Sequence, residues 1–385
     1  MTTLPLDGIR VVDFTQVMLG PCCTQMLADY GADVIKIEKM KIGDLSRWSV
    51  GSDPDGLNNP VFTSLNRNKR SLSVDLKNKE SCDVVRELLR HADVVVNNFR
   101  PGVMERMGFG YDDLKRINPK LIYAVGTGFG LDGPYRHKGG QDTLAQAMTG
   151  VMQRKSDYTH PTAIYSTTIA DYSAGMHLVQ GILLALLHRE KTGEGQQVAV
   201  SLYSSLIAMQ MQEGTMHMMR GKELNWSSFP LSGVFETTDS AVVMVGAFKE
   251  NPLRDICNAL ELDDLSALPE HEDFDAQART RPRLHAIFRA RFATNSTAYW
   301  LKRLEEVDIL CAPVRSLPEA LEDEQTLING LILDVGETPA GPVRVIGSPI
   351  DMSAARVSVR LKPPKLGEHN DEIIQSLGLL TGDAA

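Results

Sequence analysis

The chain begins with an alternation of short apolar runs and amphipathic stretches. "GIRVVDF" (8–14) is β-branched and apolar, and predicts a buried strand. "GPCCTQMLADYGA" (20–32) follows as a helix, with Pro21 near its start and Gly31 at its end. "DVIKIEK" (33–39) is the next strand. Strand, helix and strand joined this tightly predict a parallel pair with a right-handed crossover. The pattern then repeats. "KESCDVVRELLRHA" reads as helix, "DVVVNNF" as strand, "YDDLKRINP" as a short helix and "LIYAVG" as strand. The stretch 167–195 reads as one long helix, "QQVAVSLY" as a strand and "SLIAMQMQEGTMHMMRG" as a single helix. This predicts an α/β domain with a doubly wound parallel sheet. Ligands in such sheets bind beyond the carboxyl ends of the strands, here the loops after Phe14, Glu38, Phe99 and Val125.

Near residue 225 the texture changes. "GVFETTDSAVVMVGAF" predicts a hairpin turning at Asp239 and Ser240. "NPLRDICNALEL", "RPRLHAIFRARFA" and "TAYWLKRLEEVD" predict three helices. From 328 onward short strands and turns return, ending in "LGEHNDEIIQSLGLL". The expected organisation is a large α/β part over 1–224, a smaller α+β domain over 225–320, and a segment 321–385 that rejoins the first.

A chain of 385 residues with 43% hydrophobic and 23% charged residues is that of an ordinary globular protein with a full core. The net charge of −9 argues against nucleic-acid binding. Five scattered cysteines suggest reduced thiols and a cytoplasmic location. The nine histidines form no ligand motif, so no metal is expected. "MTTLPLDG" lacks the basic-then-apolar pattern of a leader. The apolar run Ile182–Leu187 is far shorter than the ~20 residues that span a bilayer, so no membrane partner is expected.

Asp171 stands where the apolar periodicity of the 167–195 helix begins, followed by Ser173, Ala174 and Gly175. An aspartate there is ordinarily an N-cap. The same helix terminus also keeps a carboxylate ionised, and an ionised carboxylate can attack an activated acyl group. Small residues after it leave room for a bulky substrate. "GTGFG" (126–130) fails the dinucleotide fingerprint, because Leu131 stands where the third glycine belongs and a loop follows. There is no G-x-S-x-G elbow and no phosphate-binding P-loop. Basic residues gather near the strand ends: "NRNKRS" (66–71), Lys77, Lys36, Lys39, Arg100 and Arg106. Singly each reads as a solvated surface charge; together they suit a phosphate-bearing ligand. The methionines between 209 and 219 read as helix packing, or as a wall that adapts to a flexible ligand.

"PLDGIRVVDFTQVMLGPCCTQMLADYGADVIKIEK", "NRNKRSLSVDLK", "ADVVVNNFRPGVMERMG", "ADYSAGMHLVQGILLALLHREKTGEGQ" and "LGEHNDEI", in this order, resemble the class III CoA-transferase family of formyl-CoA and carnitine CoA-transferases. The resemblance is dense to about residue 205 and weak through the small domain. It implies coenzyme A and acyl-CoA as substrates with no permanently bound cofactor, a small carboxylic acid as partner, and an interlocked homodimer of ring-like chains. It places the catalytic aspartate on Asp171. CoA-contacting positions carry over to Met18 and Leu19, Lys39, Val74 to Lys77, Asn98, Phe99, Arg100, Arg106, Met107, and Gly139 to Asp142, with Arg106, Lys39 and Lys77 set against the phosphates. Gly140 and Asp142 fall beside the reacting groups, Asp142 to orient a water or a neighbour.

The implied reaction runs through an aspartyl anhydride and an aspartyl–CoA thioester on Asp171. Backbone amides near Gly139 and Gly140, or at the head of the Asp171 helix, are the expected oxyanion donors. A racemase of the same fold carries "GHD" where this chain has "GGQD"; Gln141 cannot take an α-proton, which disfavours that reaction. A non-catalytic acyl-CoA binding protein is the other alternative. The glycine run of the formyl-CoA enzymes is missing between 225 and 250, so oxalate specificity does not carry over.

Overall fold

A computed structural model describes residues 3–50, 57, 59–155 and 161–379. The chain divides into two compact units, one of Met1–Met152, Ile164–Met211 and Glu324–Ala385, the other of Gln153–Ala163 and Gln212–Asp323.

In the first unit the order is β1 (Arg10–Asp13), α1 (Leu19–Asp29), β2 (Asp33–Lys39), α2 (Pro60–Leu65), β3 (Lys69–Val74), α3 (Lys79–Arg90), β4 (Val94–Asn97), α4 (Val103–Arg106), α5 (Tyr111–Ile117), β5 (Ile122–Thr127), α6 (Asp142–Met148), α7 (Ile169–Thr192), β6 (Gln197–Ser201) and α8 (Leu202–Met209). The six strands are all parallel, in the order β3-β2-β1-β4-β5-β6. Alternation along each strand fills both faces. Val11, Val34, Val94 and Ile122 pack with α1, α7 and α8 on one side. Val12, Ile35, Leu72, Val95 and Tyr123 pack with α3 and α5 on the other. Strand order reverses between β1 and β4, which opens a crevice at their carboxyl ends.

Helix α7 is long and apolar enough to cross a membrane by length and composition. Eight of its residues, Leu178, Ile182 and Leu186 among them, are buried in the core of this unit. It ends at Gly193, whose φ of 76° is the left-handed cap that a residue with a Cβ rarely adopts.

Three expectations change. "NRNKRS" is not a surface loop of solvated cations. It runs into strand β3, and its charges are matched inside the fold. Lys69 lies 3.3 Å from Asp13 with both fully buried, Arg67 pairs with Asp29, and Arg70 with Asp33. Lys36, too, is buried, at 2.8 Å from Asp44. A buried charge is tolerated only when paired, and each cation here has its carboxylate on another strand, a helix or a loop. The helix expected after β6 breaks at Gln210, whose side chain donates to the carbonyls of Thr149 and Leu206, and resumes as α9 (Met211–Arg220). The second unit has a third strand that the periodicity did not announce: β7 (Ser232–Glu236) and β8 (Ala241–Val245) are joined by β9 (Leu310–Pro313). Leu310 and Ala312 alternate with half-buried residues over only four positions, too short a run to register.

The second unit packs α10 (Pro252–Ala259), α11 (Phe274–Phe292) and α12 (Thr297–Glu306) around Phe235, Phe288, Phe292 and Trp300. The chain then passes through β10 (Ile332–Thr338) and β11 (Gly341–Ile346), an antiparallel pair, to a short terminal helix. That helix lies along β3, where Glu372 pairs with Arg70 and Asn370 accepts from the Ser73 N–H.

Candidate active site

The crevice at the switch point is a cleft of about 370 Å³. Its wall is made by the loops after β1 (Gln16, Val17, Met18, Leu19), β4 (Asn98, Phe99, Arg100) and β5 (Thr127, Gly128, Phe129), with Arg136, Lys138, Gly140 and Gln141 closing one side and Asp171 reaching in.

Asp171 is not the N-cap of its helix. The cap position is Thr168, which makes no side-chain capping bond. The free N–H groups are served instead by Asp142 from α6, whose Oδ2 accepts from Ala170 at 2.7 Å and Asp171 at 3.1 Å. The other Asp142 oxygen accepts from Gln146 Nε2, and Gln146 Oε1 in turn accepts from the Tyr165 N–H at 3.0 Å. Both oxygens of Asp142 are therefore committed within the fold. The amides at the head of α7, expected as oxyanion donors, are committed as well.

The Asp171 carboxylate faces the start of α1, where the Leu19 N–H lies close enough to lower its pKa. Two helix termini thus converge on one carboxyl group. Burial pushes its pKa up, the Asp142 charge adds to that, the Leu19 N–H works the other way, and the result is about 6. The approach of α1 and α7 depends on Gly175, one turn after Asp171: a Cβ there would lie 2.8 Å from the Leu19 carbonyl oxygen. Cys22 also lies beside this crossing, and burial pushes its thiol up to about 11, so it stays protonated at neutral pH.

Gly140 meets Gly128 backbone to backbone; a Cβ on either would stand 2.5 Å from the other's Cα. That contact needs two glycines, and it lets the 139–141 strand of loop lie against the end of β5. Gly139 backs onto the Arg100 guanidinium. Beneath the loop after β1, Asp44 accepts from the N–H groups of Val17 and Ser46 and pairs with Lys36. Burial would raise the Asp44 pKa, but the Lys36 ammonium and these N–H donors outweigh it and hold it at about 2.

Of the residues anticipated from sequence, the cleft brings together Met18, Leu19, Asn98, Phe99, Arg100, Gly140, Gln141 and Asp171. Lys39, Val74, Lys77, Arg106, Met107, Gly139 and Asp142 lie outside its wall. Lys39 and Val74 end β2 and β3 on the flank of the sheet, Arg106 is exposed on α4, and Met107 packs partly into the core. The Asn98 amide is engaged with the Gln16 main chain. Sequence reading missed Gln16, Arg136 and Lys138. Gln16 lies in the loop just beyond the first strand, the position where a parallel sheet puts its ligand, and that was the available signal.

A model of CoA-transferase family III matches residues 6–370, and the chain belongs to that family. Among its relatives are a mouse succinyl-CoA:glutarate CoA-transferase, 33% identical over 97% of this chain and 86% of that protein, and a formyl-CoA:oxalate CoA-transferase of Escherichia coli O157:H7, 33% identical over 97% and 96%. A CAIB/BAIF family protein from Brucella suis superposes with a TM-score of 0.85 at 28% identity, over 98% of this chain and all of that one. The protein is accordingly a class III CoA-transferase, acting on an acyl-CoA and a carboxylic acid.

Proposed function

We propose that Asp171 carries the transfer covalently. Its carboxylate attacks the thioester carbonyl, the C–S bond breaks, and the aspartyl–acyl anhydride forms with CoA leaving as thiolate. The thiolate attacks the aspartyl carbonyl and expels the donor acid as carboxylate, leaving an aspartyl–CoA thioester. The acceptor carboxylate then attacks that thioester, and the mirrored steps regenerate Asp171 and release the new acyl-CoA. No proton has to be removed from carbon, and each bond broken is replaced by one of similar energy.

The observation that carries this reading is the placement of Asp171 in the cleft wall, ionised above a pKa of about 6 and faced by the Leu19 N–H. A carboxylate of raised pKa is the better nucleophile, and a positioned N–H stabilises the oxyanion formed at each attack. The Gly139 and Gly140 amides are the remaining candidates for a second donor. In this account Asp142 is a positioning residue that fixes the first turn of α7, and Arg100, Arg136 and Lys138 offer charge to the CoA phosphates or an acid substrate. Lys39, Lys77 and Arg106 are held to the phosphate role by the family resemblance alone. Larger dicarboxylic acids, such as the glutarate named for one relative, are the first acceptors to try.

A single incubation in deuterated buffer tests the reading. Succinyl-CoA and a 2-methylacyl-CoA are mixed with a panel of carboxylic acids and followed by mass spectrometry. New thioesters without α-deuterium are expected. Deuterium at the α-carbon with no exchange of acids would mean a racemase and would overturn the account.

A further inference from the structure

Gln16 stands in the wall of the cleft, and the main chain around it is tied on every side. The Thr15 carbonyl accepts from Lys36 Nζ at 2.8 Å. The Gln16 N–H donates to Asn98 Oδ1 at 2.9 Å, and the Gln16 carbonyl accepts from Asn98 Nδ2 at 2.8 Å. The Val17 N–H donates to Asp44 Oδ1 at 3.0 Å. Lys36 and Asp44 are themselves joined at 2.8 Å, and neither side chain has any exposure. Asp44 is held from behind, its own N–H donating to Glu38 Oε2 at 2.8 Å.

What this clamp holds is strained. Val17 has a φ of 67°, a left-handed conformation that a β-branched residue almost never adopts. The residue is 42% exposed, so packing does not hold it there. Such conformations persist only where the surroundings over-determine them. Two residues later the same loop brings Leu19 into the cleft wall beside Asp171, at the point where α1 crosses α7. A buried ion pair is a poor source of stability, since an apolar pair of similar size often does as well. This one reaches both sides of Gln16 instead.

We infer that Lys36 and Asp44, with Asn98, are positioning residues that lock the Thr15–Met18 loop and thereby aim the Leu19 N–H at Asp171. The inference deepens the Asp171 reading and rests on it. Once the loop is released, Val17 relaxes to negative φ, Leu19 turns away, and the reaction slows while the rest of the cleft still binds acyl-CoA.

The test compares wild type with Lys36→Met, Asp44→Asn and each of these combined with Val17→Gly. Asp44→Asn and Lys36→Met are expected to lower kcat at least tenfold while KM for acyl-CoA moves less than threefold. Val17→Gly, which takes positive φ freely, is expected to restore part of kcat in either background. Hydrogen exchange over residues 15–19 supplies a readout independent of turnover, and the single variants are expected to lose protection there. Folded variants with wild-type kcat, or a joint fall of kcat, CoA binding and melting temperature that Val17→Gly does not mend, would overturn the inference. If Lys36→Met does not fold, Asn98→Leu, which removes both side-chain bonds to the Gln16 main chain, is expected to lose protection over residues 15–19 in the same way. Should wild type transfer no CoA, the Asp171 reading falls. The clamp is then judged on exchange alone: protection kept in the variants overturns it, and protection lost supports it.

Discussion

Asp171 owes its chemistry to what surrounds it. A carboxylate left in water titrates near 4. Burial and the neighbouring Asp142 lift this one to about 6. Only the ionised form attacks, so kcat/KM should be full above that value and fall tenfold per unit as the pH drops through it. The effect on folding has the opposite sign. A carboxyl whose folded pKa is raised binds its proton more tightly in the native state, so this group's contribution to stability declines as pH rises from about 4 to about 6. Asp171→Asn should therefore melt a few degrees higher than wild type at pH 7.5 while losing turnover, a common exchange at active sites. A flat pH–rate profile down to pH 4.5 would contradict the assignment. The position of Asp171 at the head of an apolar helix reads as a cap, and the family resemblance is what marked it as catalytic. The sequence did not reveal what caps that helix, because Asp142 lies on another helix and only the fold brings the two together.

Among the elements, the crossing of α1 and α7 matters most. Gly175 lets the two backbones approach, and a methyl group there would collide with the Leu19 carbonyl. Gly175→Ala should push the helices apart, weaken the Leu19–Asp171 contact, cost about 1–3 kcal/mol of stability and lower kcat by roughly tenfold. Paired melting and kinetic measurements check this, and a variant with unchanged kcat would show that the crossing does not set the geometry. The central strands of the large unit, β1, β4 and β5, were legible because each is a continuous apolar run, as parallel strands covered on both faces must be. β3 was not. "NRNKRS" looks like a loop, since its cations are matched by Asp13, Asp29 and Asp33 on elements distant in sequence. Pattern alone does not register a strand edge sealed by ion pairs.

At the scale of the whole molecule, the surface carries apolar residues that an isolated chain would leave in water. On the large unit Leu184, Leu187 and Met209 are 67%, 62% and 49% exposed. Leu184 and Leu187, three residues apart, share one face of α7, and we propose a second copy of this chain as the partner that covers it, the homodimer that the family resemblance implies. Light scattering in solution should return twice the chain mass of 42.4 kDa, and Leu184→Glu should lower it; a monomeric wild type would reject the dimer.

The central claim is that the reaction passes through a covalent bond at Asp171. It is tested most directly by mixing the protein with succinyl-CoA and an acceptor acid, quenching in acid, and mapping the peptides by mass. The account predicts a CoA-sized adduct on the peptide that holds Asp171, absent from Asp171→Asn. Turnover by wild type with no adduct at Asp171, or an adduct that persists in Asp171→Asn, would contradict it.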